Sequence, residues 1–89
     1  MEQKITEVQI MKFQVQTYCV LPNGDRFLTP VATYEIKNKR LSVLRIQTRY
    51  AQGQNTNMMK HMYKAPMQIA LGNTYAFEIK GKVFNITKV

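Results

Sequence analysis

The dominant period of apolar and polar side chains along this sequence is two, and this period limits the fold more than any other feature. Successive side chains of a strand point to opposite faces, so the pattern specifies strands with one face inward. Met11, Phe13, Val15 and Cys19 alternate with Lys12, Gln14, Gln16 and Tyr18. Val8 and Ile10 fall on the other parity, so the phase slips near Ile10-Met11. A bulge there would keep the apolar residues inward while the strand bends. A long, bent first strand suits a small closed or partly open barrel.

Turn chemistry divides the rest of the chain. Pro22-Asn23-Gly24-Asp25 is a hairpin turn, with proline fixing φ and Asn-Gly tolerating positive φ. A second strand is expected over about residues 26–36. Pro30 within it has no N–H to give a ladder and marks an edge or a bulge. Asn38 centres a charged turn. A third strand is expected over residues 41–50, with Leu44, Ile46 and Tyr50 inward and Val43, Arg45, Gln47 and Arg49 outward. Residues 51–57 read as loop by composition. Asn57 then caps a short helix that turns Met58, Met59 and Met62 to one side, and Pro66 ends it. Leu71-Gly72-Asn73 leads into a strand carrying Tyr75, Phe77 and Ile79. Lys80-Gly81-Lys82 is a hairpin tip, and Val83 to Val89 forms the last strand.

At 89 residues the chain is one domain, 1–89, with a core no larger than one layer pair or a small barrel. The expected class is mainly β: a five-stranded barrel with a short helix between strands 3 and 4. This element order and size resemble the small OB-fold proteins that bind single-stranded nucleic acid. The resemblance implies an oligonucleotide site on the face of strands 2 and 3. An SH3-like barrel or a split α+β sheet accommodates the same pattern.

Charge points in the same direction. No acidic residue lies between Glu35 and Glu78, whereas Lys37, Lys39, Arg40, Arg45, Arg49, Lys60 and Lys64 do, and these seven carry almost all of the formal net charge of +8. A one-sign field over half of a small domain suits a polyanionic partner. At alternate positions of a strand, Arg45, Gln47 and Arg49 would share one face roughly 7 Å apart, close to the repeat of an extended nucleotide backbone. Guanidinium groups pair with phosphate and stack on bases, and an amide between them hydrogen-bonds base edges. Lys37, Lys39 and Arg40 in the preceding turn would extend the path. Tyr18 stands on the polar parity beside Gln14 and Gln16, a platform for a base. Phe27 shares the parity of Thr29 and Thr33 and reads as outward, Tyr34 and Tyr50 as core; the register at Pro30 leaves Phe27 and Tyr34 exchangeable. With the methionines plugging the core, Lys60, His61, Tyr63 and Lys64 would face outward and clamp a bound strand.

The expected partner is therefore single-stranded DNA or RNA, bound without catalysis and without a cofactor. Two-fold association of the chain would lengthen a path that is short on one small domain. A phage- or plasmid-type adaptor that binds a host protein is a second reading, since a surface rich in Gln and Met is adaptable. A small toxin-type endoribonuclease is a third, built on Arg, Lys, Tyr and the single histidine, His61. Against an enzyme, no carboxylate neighbours His61 in sequence and no phosphate-cradling glycine loop is present. A Met and His cluster can hold copper(I), but methionines at helical spacing fit an apolar plug better. The N-terminus lacks the apolar run of a secretory signal, and no stretch has the apolar length of a bilayer-spanning helix. Cys19 is the sole cysteine, so no internal disulfide forms. Together these features point to the cytoplasm and to no membrane partner.

Overall fold

The computed structural model describes residues 10–89. Five antiparallel strands form one sheet: β1 (Ile10–Val20), β2 (Arg26–Lys37), β3 (Arg40–Ile46), β4 (Tyr75–Ile79) and β5 (Lys82–Lys88). Their order across the sheet is β3-β2-β1-β5-β4. The protein is thus mainly β with five strands, as expected, but the sheet is open, with β3 and β4 as its two edges. Three short helices, not one, join those edge strands: α1 (Arg49–Gly53), α2 (Asn55–Met62) and α3 (Ala65–Ala70). Among the described residues no helix is long and apolar enough to cross a membrane.

The helices cover one face of the sheet. Phe13, Val15, Tyr34, Phe77, Ile79, Phe84 and Ile86 from the strands bury against Ala51, Met58, Met62 and Ala65 from the helices. The methionines therefore fill the core as a helical stripe should. Tyr34 is fully buried and its hydroxyl donates to Asn55 Oδ1 at 2.7 Å. Burial pushes its phenol up to about 12, because the interior disfavours a phenolate.

Local chemistry explains most boundaries. The three-residue loop Pro22-Asn23-Gly24 closes the β1–β2 hairpin, with Gly24 N–H donating to Leu21 O at 2.9 Å and Gly24 at φ 92°. Asn23 Oδ1 also accepts from the Asp25 N–H at 2.9 Å. Thr48 Oγ1 accepts from the Ala51 N–H at 3.0 Å and caps α1. That cap ends β3 early. Residues 51–57, read as loop from their composition, belong instead to α1 and α2, with Gln54 as the single residue joining them. Asn57 lies inside α2 and caps nothing, and Pro66 stands in the first turn of α3, where a missing N–H costs little. Gly72 and Asn73 N–H groups close α3 onto Ile69 O and Gln68 O at 3.0 and 2.9 Å, a Schellman ending.

Two bulges reset the parity of the strands. Val15 pairs with Ala32 and Gln16 with Pro30, leaving Val31 as the extra residue on β2. Pro30 thus adjoins a bulge, as its missing donor requires. Between β2 and β3, Tyr34 pairs with Val43 and Thr33 with Arg45, so Leu44 is extra. Leu44, expected inward, is 47% exposed, while Val43, expected outward, packs against the core. The phase slip expected at Ile10-Met11 involves Val8, outside the described residues; from Ile10 to Val15 the β1–β2 ladder runs without a shift.

The Lys37–Arg40 turn holds Asn38 at φ 51° and Lys39 at φ 66°, the two positive values of a type I′ hairpin. Asparagine tolerates this region; lysine does not. Lys39→Gly should therefore raise stability by about 0.5–1 kcal/mol, read as a higher urea midpoint with an unchanged slope. An unchanged or lower midpoint would show that Lys39 carries no strain.

Candidate nucleic-acid interface

Directly paired residues of antiparallel strands point to the same side, so the registers define the uncovered face. Arg45 pairs with Thr33, Thr33 with Gln14, and Gln14 with Thr87. These four polar side chains form one row across β3, β2, β1 and β5. The row on one side holds Ser42, Glu35 and Lys12, and beyond it stand Arg40, Lys37 and Ile10. The row on the other side holds Pro30, Gln16, Asn85 and Ala76. Next come Leu28 and Tyr18, then Arg26 and Val20.

This face is hydrogen-bonded but not covered. Gln16 Nε2 donates to Gln14 Oε1 at 2.7 Å, and Thr87 Oγ1 donates to Gln16 Oε1 at 3.4 Å. Tyr18 is 45% exposed, and the Arg26 guanidinium lies 4.9 Å from the centre of its ring, within cation–π range. Along β1 to β3 the face therefore carries Arg26, Lys12, Lys37, Arg40 and Arg45 against Glu35, with Glu78 on the far strand β4.

The expected trio of Arg45, Gln47 and Arg49 does not stand on one strand. Arg45 is on β3 and exposed. Gln47 lies just past its end, half-buried, its N–H donating to Val31 O at 2.8 Å and its Oε1 buried without a partner among the described residues. Arg49 opens α1, because the Thr48 cap has already turned the chain. Lys37 and Arg40 flank the turn as expected, with Lys39 exposed at its tip. Tyr18 faces outward as expected. Phe27 is 46% exposed, but it pairs with Cys19 and so lies on the opposite face from Tyr18. The Val31 bulge causes this reversal. Tyr50, expected in the core, sits in α1 at 37% exposure, its ring stacked on Phe84 at 5.9 Å.

Lys60, His61, Tyr63 and Lys64 belong to the helical layer, on the other side of the sheet from Arg45. His61 stacks on Phe77 at 4.2 Å, and its Nδ1 lies 2.8 Å from the Tyr75 hydroxyl. Partial burial and the nearby Lys64 charge both lower its pKa, which favours the neutral ring. Beside it, Tyr63, Lys64, Met67, Gln68, Thr74, Tyr75 and Ala76 line a groove of about 450 Å³ along the edge strand β4. Of these, Ala76 pairs with Asn85 and belongs to the uncovered face as well. Among the described residues no group of three His, Cys, Asp or Glu side chains is placed to hold a metal ion.

Gln14, Gln16, Thr33 and Thr87 complete the face. The polar parity of β1 marks the two glutamines, whereas Thr33, Thr87 and the Arg26–Tyr18 contact depend on the register. No family model matches the chain, and comparisons with curated proteins and with solved structures return no match either.

Proposed function

We propose that this chain binds single-stranded nucleic acid, with little sequence preference, across the uncovered face of its sheet. The observation that carries this reading is the row Arg45-Thr33-Gln14-Thr87, flanked by Lys37 and Arg40 on one side and by Tyr18 with Arg26 on the other. Cations track the phosphates, the amides and hydroxyls meet base edges, and Tyr18 offers a surface for stacking. In an OB-like barrel the strand 2–3 face is the usual oligonucleotide site; the present reading keeps that face and extends it over β1 and β5.

The test follows from the split between Arg45 and Arg49. Arg45→Ala should weaken binding of a short single-stranded oligonucleotide by at least about tenfold, one hydrogen bond to a charged group being worth roughly 1.5–3 kcal/mol. Arg49→Ala, on the helix, should change it less than about twofold. Equal losses in the two variants, measured by fluorescence anisotropy, would remove this face as the site.

A further inference from the structure

β4 is an edge strand, and among the described residues nothing pairs with its outer side. Its free groups follow from the β4–β5 hairpin. Lys80 at φ 51° and Gly81 at φ 81° form a two-residue type I′ turn, which Ile79 and Lys82 close as a hydrogen-bonded pair. Bonded and non-bonded pairs alternate along an antiparallel ladder. Phe77 and Tyr75 therefore bond to β5, while Ala76 and Glu78 each turn an N–H and a C=O outward, roughly 7 Å apart. Val83, opposite Glu78, agrees with this frame, because its carbonyl turns away from β4 and accepts from Thr17 Oγ1 of β1 at 2.9 Å. Sheet edges are commonly blunted by bulges or basic side chains. The other edge, β3, has a bulge at Leu44 and carries Arg40 and Arg45; β4 has neither a bulge nor a basic residue.

We infer that this edge, with the groove beside it, takes up an extended acidic peptide of another protein as a further strand of the sheet. The backbone selects the class of occupant. Ala76 and Glu78 present acceptors as well as donors, and a peptide strand answers both; the phosphates of a nucleic acid only accept and leave those carbonyls bare. Alternate side chains of the added strand turn toward the helices, over the groove lined by Tyr63, Lys64, Met67 and Tyr75. Tyr63 and Met67 are both 68% exposed and form an apolar wall, while the Tyr75 hydroxyl is held 2.8 Å from His61 Nδ1, so the floor is already in place. One large apolar side chain of the peptide fits there. Charge selects its neighbour. Lys64 lines the groove and Lys60 precedes it on α2, and α1 to α3 contain no acid. Glu78, the one acid of β4, shares the parity of Ala76 and points to the uncovered face. An acidic residue of the peptide therefore meets only basic side chains on the helical wall, whereas a second copy of the chain, also +8, is repelled.

This inference does not rest on nucleic-acid binding. A random dodecapeptide library panned against the full chain should enrich peptides that carry an acidic residue and a large apolar one two positions apart, with no proline between them. One enriched peptide, end-blocked and labelled, should bind in fluorescence anisotropy. Ala76→Pro should weaken it at least about tenfold, because an outward donor is lost and its acceptor on the peptide is left bare. Proline at this position removes no bond to β5, since the Ala76 N–H points to the open side. Lys64→Glu should weaken binding about two- to fivefold, the scale of an exposed ion pair, and Arg45→Ala, on the uncovered face, should leave it unchanged. N-methylation of the peptide at alternate residues should abolish binding in one parity and spare it in the other, a readout that decides the matter even if Ala76→Pro disturbs the fold. A library that enriches nothing, or a peptide indifferent to the parity of methylation, would overturn the inference. So would a mass of twice 10.4 kDa in sedimentation equilibrium that Ala76→Pro returns to the single-chain value, which would give the edge to a second copy. An oligonucleotide released by Ala76→Pro but not by Arg45→Ala would overturn it in favour of nucleic acid.

Discussion

Phe84→Ala should destabilise the protein by about 3–5 kcal/mol, against a total of roughly 5–13 kcal/mol for a chain of this length. Phe84 has no exposed surface. Its ring stacks on Phe77 at 5.5 Å and on Tyr50 at 5.9 Å, with the Lys82 ammonium 5.9 Å from its centre. One side chain thus joins β5 to β4 and to α1. Deleting it leaves a cavity between the sheet and a helix of only five residues, which has little propensity of its own to hold it in place. Urea unfolding should show the loss as a lower midpoint, or as no folded baseline at all. Leu71→Ala, at an exposed position, should stay within about 0.5 kcal/mol of the parent. A cost below about 1 kcal/mol at Phe84 would mean that the aromatic stack does not organise the core.

The second large effect is on binding. If Lys12, Lys37, Arg40 and Arg45 each neutralise one phosphate, log affinity should fall against log salt with a slope of about −2.8 for single strands. Raising salt from about 50 to 200 mM then weakens binding roughly fifty-fold. Arg45→Ala should make the slope shallower by about 0.7, while Lys88→Ala should leave it unchanged, because Lys88 pairs with Phe13 and so points toward the helical side. Single-stranded DNA, single-stranded RNA and duplex DNA measured together identify the preferred form. A flat slope, or no binding at low salt, would end the nucleic-acid reading.

Much of this fold could be read from residue order because its determinants are local. The alternation of Met11, Phe13 and Val15 gave the inward face of β1, and Asn23-Gly24, Asn38 and Gly81 marked three hairpin turns by their tolerance of positive φ. The stretch from Thr48 to Asn57 was harder. It is mostly Arg, Gln, Asn and Thr with no acidic residue in a first turn, so composition suggests a loop. The signal that was present is the spacing of Ala51, Met58, Met62, Ala65 and Ile69, steps of seven, four, three and four, which form an apolar stripe at helical period. Thr48 as an N-cap was the other. The candidate site was half legible for the same reason. Arg45 and Tyr18 follow from strand parity, but Arg49 depended on where β3 stops, and Phe27 on a bulge that Pro30 signals without fixing the register.

Because of the single extra residue at Val31, one strand carries two reading frames. Along its C-terminal half, β2 turns Tyr34 and Ile36 to the helices; toward the β1–β2 turn, the same side receives Thr29 and Phe27. With Val31 kept but paired regularly, Leu28 would stand opposite Cys19, and Phe27 would move to the face of Tyr18. Deleting Val31 would instead remove the bulge and keep Thr29 and Phe27 on their present side, because the remaining residues already pair in one frame. The bulge, as much as the composition of the strand, therefore decides which side chains this end of the hairpin presents to each face.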